Sequence, residues 1–256
     1  MMFDFVVGSV SVYPWLLNQA SFLASHYALC GVDCISVRDY KLYLEPYIIR
    51  RKEDNEQSDL LRRNASSFLQ RVSLTDRVLL GSMEFLGTES NLLMGGKSFP
   101  LADGRLRRLN EVLSSEAHTV HLCVACQSDL ILSLDRCSIE KKVSALKISE
   151  LSWSNIAFRI LRAMPKCKLV VWDFEVAEVA VRSFLSELLA TELLEIEWYS
   201  LRRLFDLDRF LEKRRVHVGS EHARLCARLD ECYETDLHKL ITLPRTELRT
   251  FSSLRL

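Results

Sequence analysis

The stretch Phe3-Asp-Phe-Val-Val-Gly8, followed by Ser9-Val-Ser-Val12, decides how the rest of the chain is interpreted. The first part is a short apolar run that ends in glycine, which predicts a buried strand. Tyr13 to Leu29 behind it predicts a helix. A turn between a strand and a helix is where α/β nucleotide-binding proteins hold phosphate on backbone amides. The chemistry of Ser9 to Val12 therefore decides whether this chain has such a site.

The same strand, turn and helix unit recurs along the chain. Later apolar runs predict strands at Val32–Val37, Arg77–Gly81, Thr119–Ala125 and Lys168–Trp172. Helices are predicted at 58–72, 105–113, 153–164 and 176–189. Strands that are apolar on both faces and alternate with helices are typical of parallel sheets. We therefore predict an α/β fold, a three-layer, doubly wound and mainly parallel sheet with helices on both faces.

The last quarter of the chain has a different pattern. From Trp198 onward we find only helical periodicity, with one apolar stripe from Leu201 to Leu211 and another from Leu225 to Leu240. The predicted organisation is an α/β domain over residues 1–197 and a helical extension over residues 198–256 packed on it.

Composition narrows the class of protein and its partners. Lys plus Arg and Asp plus Glu both number 34, so the net charge is zero and no overall field attracts nucleic acid or an anionic membrane. No apolar run reaches the roughly 18 residues that a membrane helix needs, and Asp4 near the N-terminus does not suit a signal peptide. We expect a cytoplasmic protein with no nucleic-acid partner and no membrane insertion.

The cysteines and histidines do not predict a metal site. Eight cysteines lie mostly in apolar stretches, which favours reduced core thiols over a disulfide framework. Cys123-Val-Ala-Cys126 has the spacing of a zinc knuckle, but residues three apart on a strand point to opposite faces. His118 and His121 flank the start of the same strand and are expected to be structural. We predict no bound metal.

Two features of the connection after the third strand could carry chemistry. Met94-Gly-Gly-Lys-Ser98 contains the residue types of a phosphate loop, but a Walker motif needs glycine at position 91, which is Asn91. A plain glycine turn is the favoured interpretation. Glu84 follows the third strand closely, where it could act as a general base or simply cap a turn.

Three stretches resemble the bacterial sulfotransferase-like family, a branch of the P-loop-related fold that uses the sulfate donor PAPS. Val78 to Gly87 is similar to a strand ending in a Ser-x-Glu-x-x-x-Gly turn, and Gly95 to Pro100 to the Gly-Gly-x-x-x-Pro loop that follows it. Val120 to Leu134 occupies the place of a strand followed by Arg-Asn-Pro and a helix. Leu151 to Pro165, with Leu169 to Glu175, is similar to a Trp-led helix and a strand ending Val-Trp-x-x-Glu.

The resemblance implies a reaction and a set of site residues. A sulfuryl group would pass from PAPS to a hydroxyl of a carbohydrate or small molecule, with Glu84 as the catalytic base. The phosphosulfate end of the donor would lie against Gly8, Ser9 and Ser11. Its 3′ phosphate would lie against Ser128 and Ser133.

The chain departs from the family where the donor binds. The family's first turn reads approximately His-x-x-Lys-Thr-Gly-Thr-Thr, whereas Gly8 to Trp15 contains no lysine and contains Pro14, which lacks an amide donor. The arginine for the 3′ phosphate corresponds to Cys126. Charged hydrogen bonds contribute about 1.5 to 3 kcal/mol each, so both losses weaken donor binding.

Two hypotheses follow from these departures. In the first, the chain is a divergent sulfotransferase with a degenerate donor site. In the second, it is a catalytically inactive binding or assembly module with the same fold, working with a protein partner or as a homodimer.

Overall fold

The computed structural model of the chain describes residues 2–8, 32–49, 55–72, 77–81, 86, 99–113, 118–124, 126, 128, 152–173, 182–184, 186–187 and 220–249. From residue 32 onward in this part of the chain helices alternate with strands, and every strand pairing is parallel. The structure is therefore α/β with a parallel sheet, as the sequence predicts.

The described strands form one six-stranded sheet. In chain order they are β1 (Met2–Gly8), β2 (Val32–Cys34), β3 (Arg77–Gly81), β4 (His118–Val124), β5 (Cys167–Asp173) and β6 (Thr246–Arg249). Their order across the sheet is β2-β3-β1-β4-β5-β6. The chain thus leaves β1 toward one edge of the sheet and, after β3, crosses β1 toward the other edge.

The pairing register aligns the ends of the central strands. Val6 of β1 pairs with Gly81 of β3, and Gly8 pairs with Cys123 of β4. Because all the strands are parallel, β1, β3, β4 and β5 end at the same edge of the sheet, which we call the carboxyl edge. Ligands of open parallel sheets bind at this edge, where the direction of the strand order reverses.

The described helices lie between the strands in sequence. A helical run after β2 comprises α1 (Val37–Asp39), a π-helical turn (Tyr40–Leu44) and α2 (Glu45–Ile48). The longer helices are α3 (Asn55–Val72), α4 (Ala102–Val112), α5 (Trp153–Ala163) and α6 (Ser220–Thr242). In this part of the chain no helix is both long and apolar enough to cross a membrane.

A capping interaction ends β2 earlier than the sequence pattern predicts. We expected a strand through Val37, but β2 stops at Cys34 and the helical run begins at Val37. The Ser36 hydroxyl accepts a hydrogen bond from the Asp39 amide at 3.0 Å and donates to the Asp39 carboxylate at 2.7 Å. This reciprocal pair is a helix N-cap, so local capping outweighs the apolar character of Ile35 and Val37.

The main core lies between one face of the sheet and the helices. Alternate residues of β4 and β5 point into it, among them Val120, Leu122, Leu169 and Val171, all of which are buried. The helices add apolar side chains at helical spacing, such as Ile156 and Ile160 of α5. This alternation places the intervening strand residues on the opposite face.

That opposite face is also covered where it is described. His121 and Trp172 occupy it, and the Phe184 ring packs edge-on against both, with ring centroids 5.9 and 5.2 Å apart. The Trp172 indole donates a hydrogen bond to His121 Nδ1 at 3.1 Å. His121 is buried and contributes to packing in this cluster.

The prediction of a purely helical C-terminal extension is wrong at its end. α6 agrees with the predicted helical periodicity, but Thr246–Arg249 forms β6, which pairs with β5. β6 is a short edge strand with no fully buried residue, so it has no apolar run that predicts a strand. It is held by its ladder with β5 and by an ion pair between Lys168 and Glu247 at 2.6 Å. The predicted domain boundary after Glu197 lies outside the described residues and stays a prediction.

Candidate functional site

The carboxyl edge brings together two of the predicted site positions along the backbone. Gly8 ends β1, and Ser128 comes four residues after β4. Ser9, Ser11, Glu84 and Ser133 lie outside the described residues. Ser128 is therefore the predicted site residue whose side chain the structure describes.

Ser128 is buried and hydrogen-bonded to a carboxylate from the C-terminal part of the chain. Its hydroxyl lies 2.7 Å from Asp230 Oδ1 and 3.2 Å from Cys126 Sγ. The Cys126 thiol also donates to Asp230 Oδ1, at 2.7 Å. We call these three residues the Cys126–Ser128–Asp230 cluster. The Ser128 hydroxyl has one proton to donate. The Asp230 carboxylate is the better acceptor for it, because this contact is shorter than the contact to Cys126 Sγ and its acceptor is charged.

Cys126 carries neither a positive nor a negative charge at neutral pH. Burial, and then the hydrogen bond to Asp230, raise the pKa of its thiol to about 12 from an ordinary value of 9.0. The thiol therefore stays protonated at neutral pH, and a protonated thiol is a poor nucleophile. The cluster is chemically a neutral thiol and hydroxyl that both donate to one carboxylate.

α6 makes a second polar contact at the end of β5. The Tyr233 hydroxyl donates to Asp173 Oδ1 at 2.7 Å, and both residues are buried. Asp173 pairs in register with Val124, so its position adjoins the start of the Cys126–Ser128–Asp230 cluster. One face of α6 thus supplies Asp230 and Tyr233 to the ends of two neighbouring strands.

A third polar residue of α6 caps the helix that precedes β5. The buried Asp236 carboxylate accepts hydrogen bonds from the Ser152 and Ser154 hydroxyls, each at 2.6 Å, and from the Trp153 amide. Ser152 is the N-cap of α5, and its hydroxyl also accepts a hydrogen bond from the Asn155 amide at 3.2 Å. A negative charge here is favourable because the N-terminal amides of a helix lack internal partners.

A strained residue ends the glycine-containing connection. The Met94–Ser98 stretch lies outside the described residues, but Phe99 directly after it is buried and has a φ of 47°. Its carbonyl accepts a hydrogen bond from Arg159 Nη2 at 2.7 Å, and Arg159 Nε pairs with Asp103 at 3.1 Å. A bulky residue such as Phe99 is uncommon in this left-handed conformation. Arg159, which belongs to α5, stabilises it by its hydrogen bond to the Phe99 carbonyl.

No protein-family model matches this chain, and no curated protein or solved structure is significantly similar to it. Its chemistry must be inferred from its own residues. Sequence analysis missed Asp230, Tyr233 and Asp236, the polar residues by which α6 contacts Ser128, Asp173 and Ser152. Their spacing of three residues was the available signal, because it puts them on one face of a helix near Leu229 and Leu240.

Proposed function

We propose that this chain is a binding or assembly module with a sulfotransferase-like, P-loop-related, three-layer doubly wound fold, whose donor site no longer holds PAPS. The observation that supports this is the hydrogen bond between Ser128 and Asp230. Ser128 was predicted to donate to the donor's 3′ phosphate, and its proton is directed at a carboxylate instead.

The charge of the Cys126–Ser128–Asp230 cluster opposes an anionic ligand. A phosphate near Ser128 would lie close to the Asp230 carboxylate, and two unit charges about 4 Å apart repel by about 1 kcal/mol in water and about 4 kcal/mol near a protein surface. The family's arginine would instead attract that phosphate. Together with the absence of lysine from Gly8 to Trp15, the balance of charge disfavours the nucleotide at both ends.

Calorimetric titration with adenosine 3′,5′-bisphosphate tests this proposal. We expect no saturable heat at ligand concentrations up to about 1 mM, a Kd that corresponds to about 4 kcal/mol of binding free energy. Saturable binding below that concentration would contradict the proposal. The Asp230→Asn variant provides the matched control, since it removes the charge and keeps a side chain of the same size.

A second candidate, the divergent sulfotransferase, is favoured by the topology. β1 lies between β3 and β4, so Gly8 ends at the point where the strand order reverses, which is the usual ligand position in open parallel sheets. In this candidate Gly8, Ser9 and Ser11 hold the phosphosulfate, and Ser128 and Ser133 contact the 3′ phosphate. The acceptor is a hydroxyl of a carbohydrate or small molecule.

The sulfuryl transfer in this second candidate needs one general base. Glu84 takes the proton of the acceptor hydroxyl while the oxygen attacks sulfur in line, and adenosine 3′,5′-bisphosphate leaves. This candidate predicts that wild-type protein binds the nucleotide and that Glu84→Gln binds it equally but transfers no sulfuryl group. A Glu84→Gln variant that keeps full transfer would remove Glu84 from the mechanism.

The module hypothesis also requires a partner, which is either another protein or a second copy of the chain. We place the module in the cytoplasm as part of the proposal. Light scattering over a range of concentrations separates the two cases, because a homodimer dissociates on dilution and a monomer keeps a constant mass.

A further inference from the structure

A half-open groove of about 490 Å³ lies between the helical run 37–48 and α3. Leu42, Tyr43 and Pro46 line it from one side and Leu61 from the other. This volume is within the range of roughly 300 to 1,000 Å³ that binding pockets occupy. The groove is built from other residues than the carboxyl edge, so it does not depend on whether a nucleotide binds there.

One leucine that lines this groove and one leucine beside it are exposed. Leu42 is 58% exposed and Leu60, next to the groove residue Leu61, is 53% exposed. The neighbouring residues Tyr40, Leu44 and Ala65 point inward and are buried in the core. Leu42 and Leu60 are therefore not needed to fill the core. Together they form an exposed apolar surface at the groove.

The α3 side of the groove also carries polar groups and one positive charge. Leu60, Asn64, Ser67 and Arg71 follow one another at helical spacing on the exposed side of α3, and the last three line the groove. The Arg71 guanidinium carbon lies 5.7 Å from the centre of the Tyr43 ring. That ring in turn stacks on Phe68 at a centroid distance of 4.6 Å and an interplanar angle of 11°.

This arrangement orients a cation for an external acceptor. The cation–π contact with Tyr43 holds the guanidinium beside that ring in the groove lining and uses none of its N–H donors in a hydrogen bond. Within the described residues, Arg71 has no carboxylate partner. A guanidinium has a fork of donors that fits both oxygens of a carboxylate.

We propose that the groove binds a short segment of a partner protein that carries a large apolar side chain and, close to it, an acidic side chain. The apolar side chain fills the space between Leu42, Pro46 and Leu61. The carboxylate pairs with Arg71, while Asn64 and Ser67 supply neutral hydrogen-bonding groups along the segment. The open shape suits a peptide segment, which enters sideways and leaves its ends in solvent.

Selection of short random peptides displayed on phage against the full chain tests this proposal. We expect the enriched peptides to combine a Leu, Phe or Trp with an Asp or Glu at a fixed spacing. For the best synthetic peptide, fluorescence anisotropy should give a Kd that rises at least about tenfold in Leu42→Asp and in Arg71→Glu. Replacing the peptide's acidic residue by lysine should restore binding to Arg71→Glu and weaken binding to the wild type.

The chain offers matched controls for both changes. Ile241→Asp places the same charge on another exposed apolar residue, which is 60% exposed on α6. Arg63→Glu reverses a charge on α3 outside the groove lining. Both controls should bind the peptide as the wild type does, and circular dichroism should show that all four variants are folded.

Three results would overturn the proposal. One is a selection that enriches no peptide or only peptides without acidic residues. Another is binding that Leu42→Asp and Arg71→Glu leave unchanged, which would place the peptide elsewhere. The third is equal loss of binding in Ile241→Asp and Arg63→Glu, which would make the contact a nonspecific charge effect.

Discussion

The Asp236 carboxylate and the Ser152 hydroxyl are 84 positions apart in the chain and 2.6 Å apart in the structure. Through this contact the C-terminal helix α6 caps the first turn of α5, the helix that leads into β5. Asp236 is buried, and it also accepts a hydrogen bond from the Trp153 amide. α6 is therefore bonded directly to the α/β core.

Asp236→Ala should destabilise the protein by about 3 kcal/mol. The change removes a charged acceptor from the Ser152 and Ser154 hydroxyls and from a helix N-terminus. Urea denaturation followed by circular dichroism measures the loss. Glu234→Ala, on the exposed side of the same helix, should change stability by less than about 0.5 kcal/mol. Equal effects of the two changes would contradict a capping role for Asp236.

Tyr233→Phe should cost about 1.5 to 3 kcal/mol of stability, because the buried Asp173 carboxylate loses the hydroxyl donor at 2.7 Å. Asp173→Asn provides the second edge of a double-mutant cycle. If the two groups interact as the structure shows, the double variant is less destabilised than the sum of the single variants by about 1 kcal/mol or more. Strict additivity in urea denaturation would argue against the contact.

Cys126 should react slowly with iodoacetamide because its thiol pKa is about 12. The exposed Cys232 is the internal reference and should be alkylated first at pH 8, as measured by mass spectrometry of the digested protein. Asp230→Asn removes the charged acceptor that adds to the effect of burial, so it should lower the pKa and speed alkylation of Cys126. A Cys126 rate equal to that of Cys232 would contradict a partly buried, hydrogen-bonded thiol at Cys126.

Ionisation of Tyr47 should lower the free energy of unfolding of the protein in alkaline solution. Burial, and then a 2.5 Å hydrogen bond from its hydroxyl to Glu111, raise the pKa of Tyr47 from 10.0 to about 12. The folded state keeps this proton where the unfolded state loses it, so the contribution is full below pH 10 and is lost as the pH rises through about 12. Its size is of the order of 2 kcal/mol.

Tyr47→Phe removes this pH dependence and is its test. Between pH 9 and 11, wild-type stability in urea should fall more steeply than that of Tyr47→Phe. Glu111→Gln should lie between the two, because burial remains while the charged acceptor is gone. Parallel curves for the wild type and Tyr47→Phe would show that the Tyr47 hydroxyl titrates alike in both states.

Much of the fold was predictable because its signals are local. The apolar runs that become β3, β4 and β5, and the helical periodicity of α3, α4 and α5, identify these elements within a few residues. The end of β2 differed from prediction because of a local cap, whereas β6 escaped prediction because its stability comes from distant partners. β6 is a strand because β5 offers it a ladder and Lys168 offers it an ion pair.

The features of the candidate site also fall into those that the sequence predicts and those that depend on distant partners. The sequence alone indicates that Gly8 to Trp15 contains no lysine and that position 126 is a cysteine, since those are matters of residue identity. It does not indicate that Asp230 lies against Ser128, because the two are 102 positions apart and no local pattern links them. The strand order likewise depends on long-range pairing.

By itself, therefore, the sequence of this protein determined an α/β chain and the residue types at the end of each strand. The tertiary structure decided which of those residues meet. It placed the carboxylates of Asp230 and Asp236 on one face of α6 and brought that face against the residues that follow β4 and against the start of α5. The physical reason is that periodicity and capping act over a few residues, whereas a buried hydrogen bond depends on how whole elements pack.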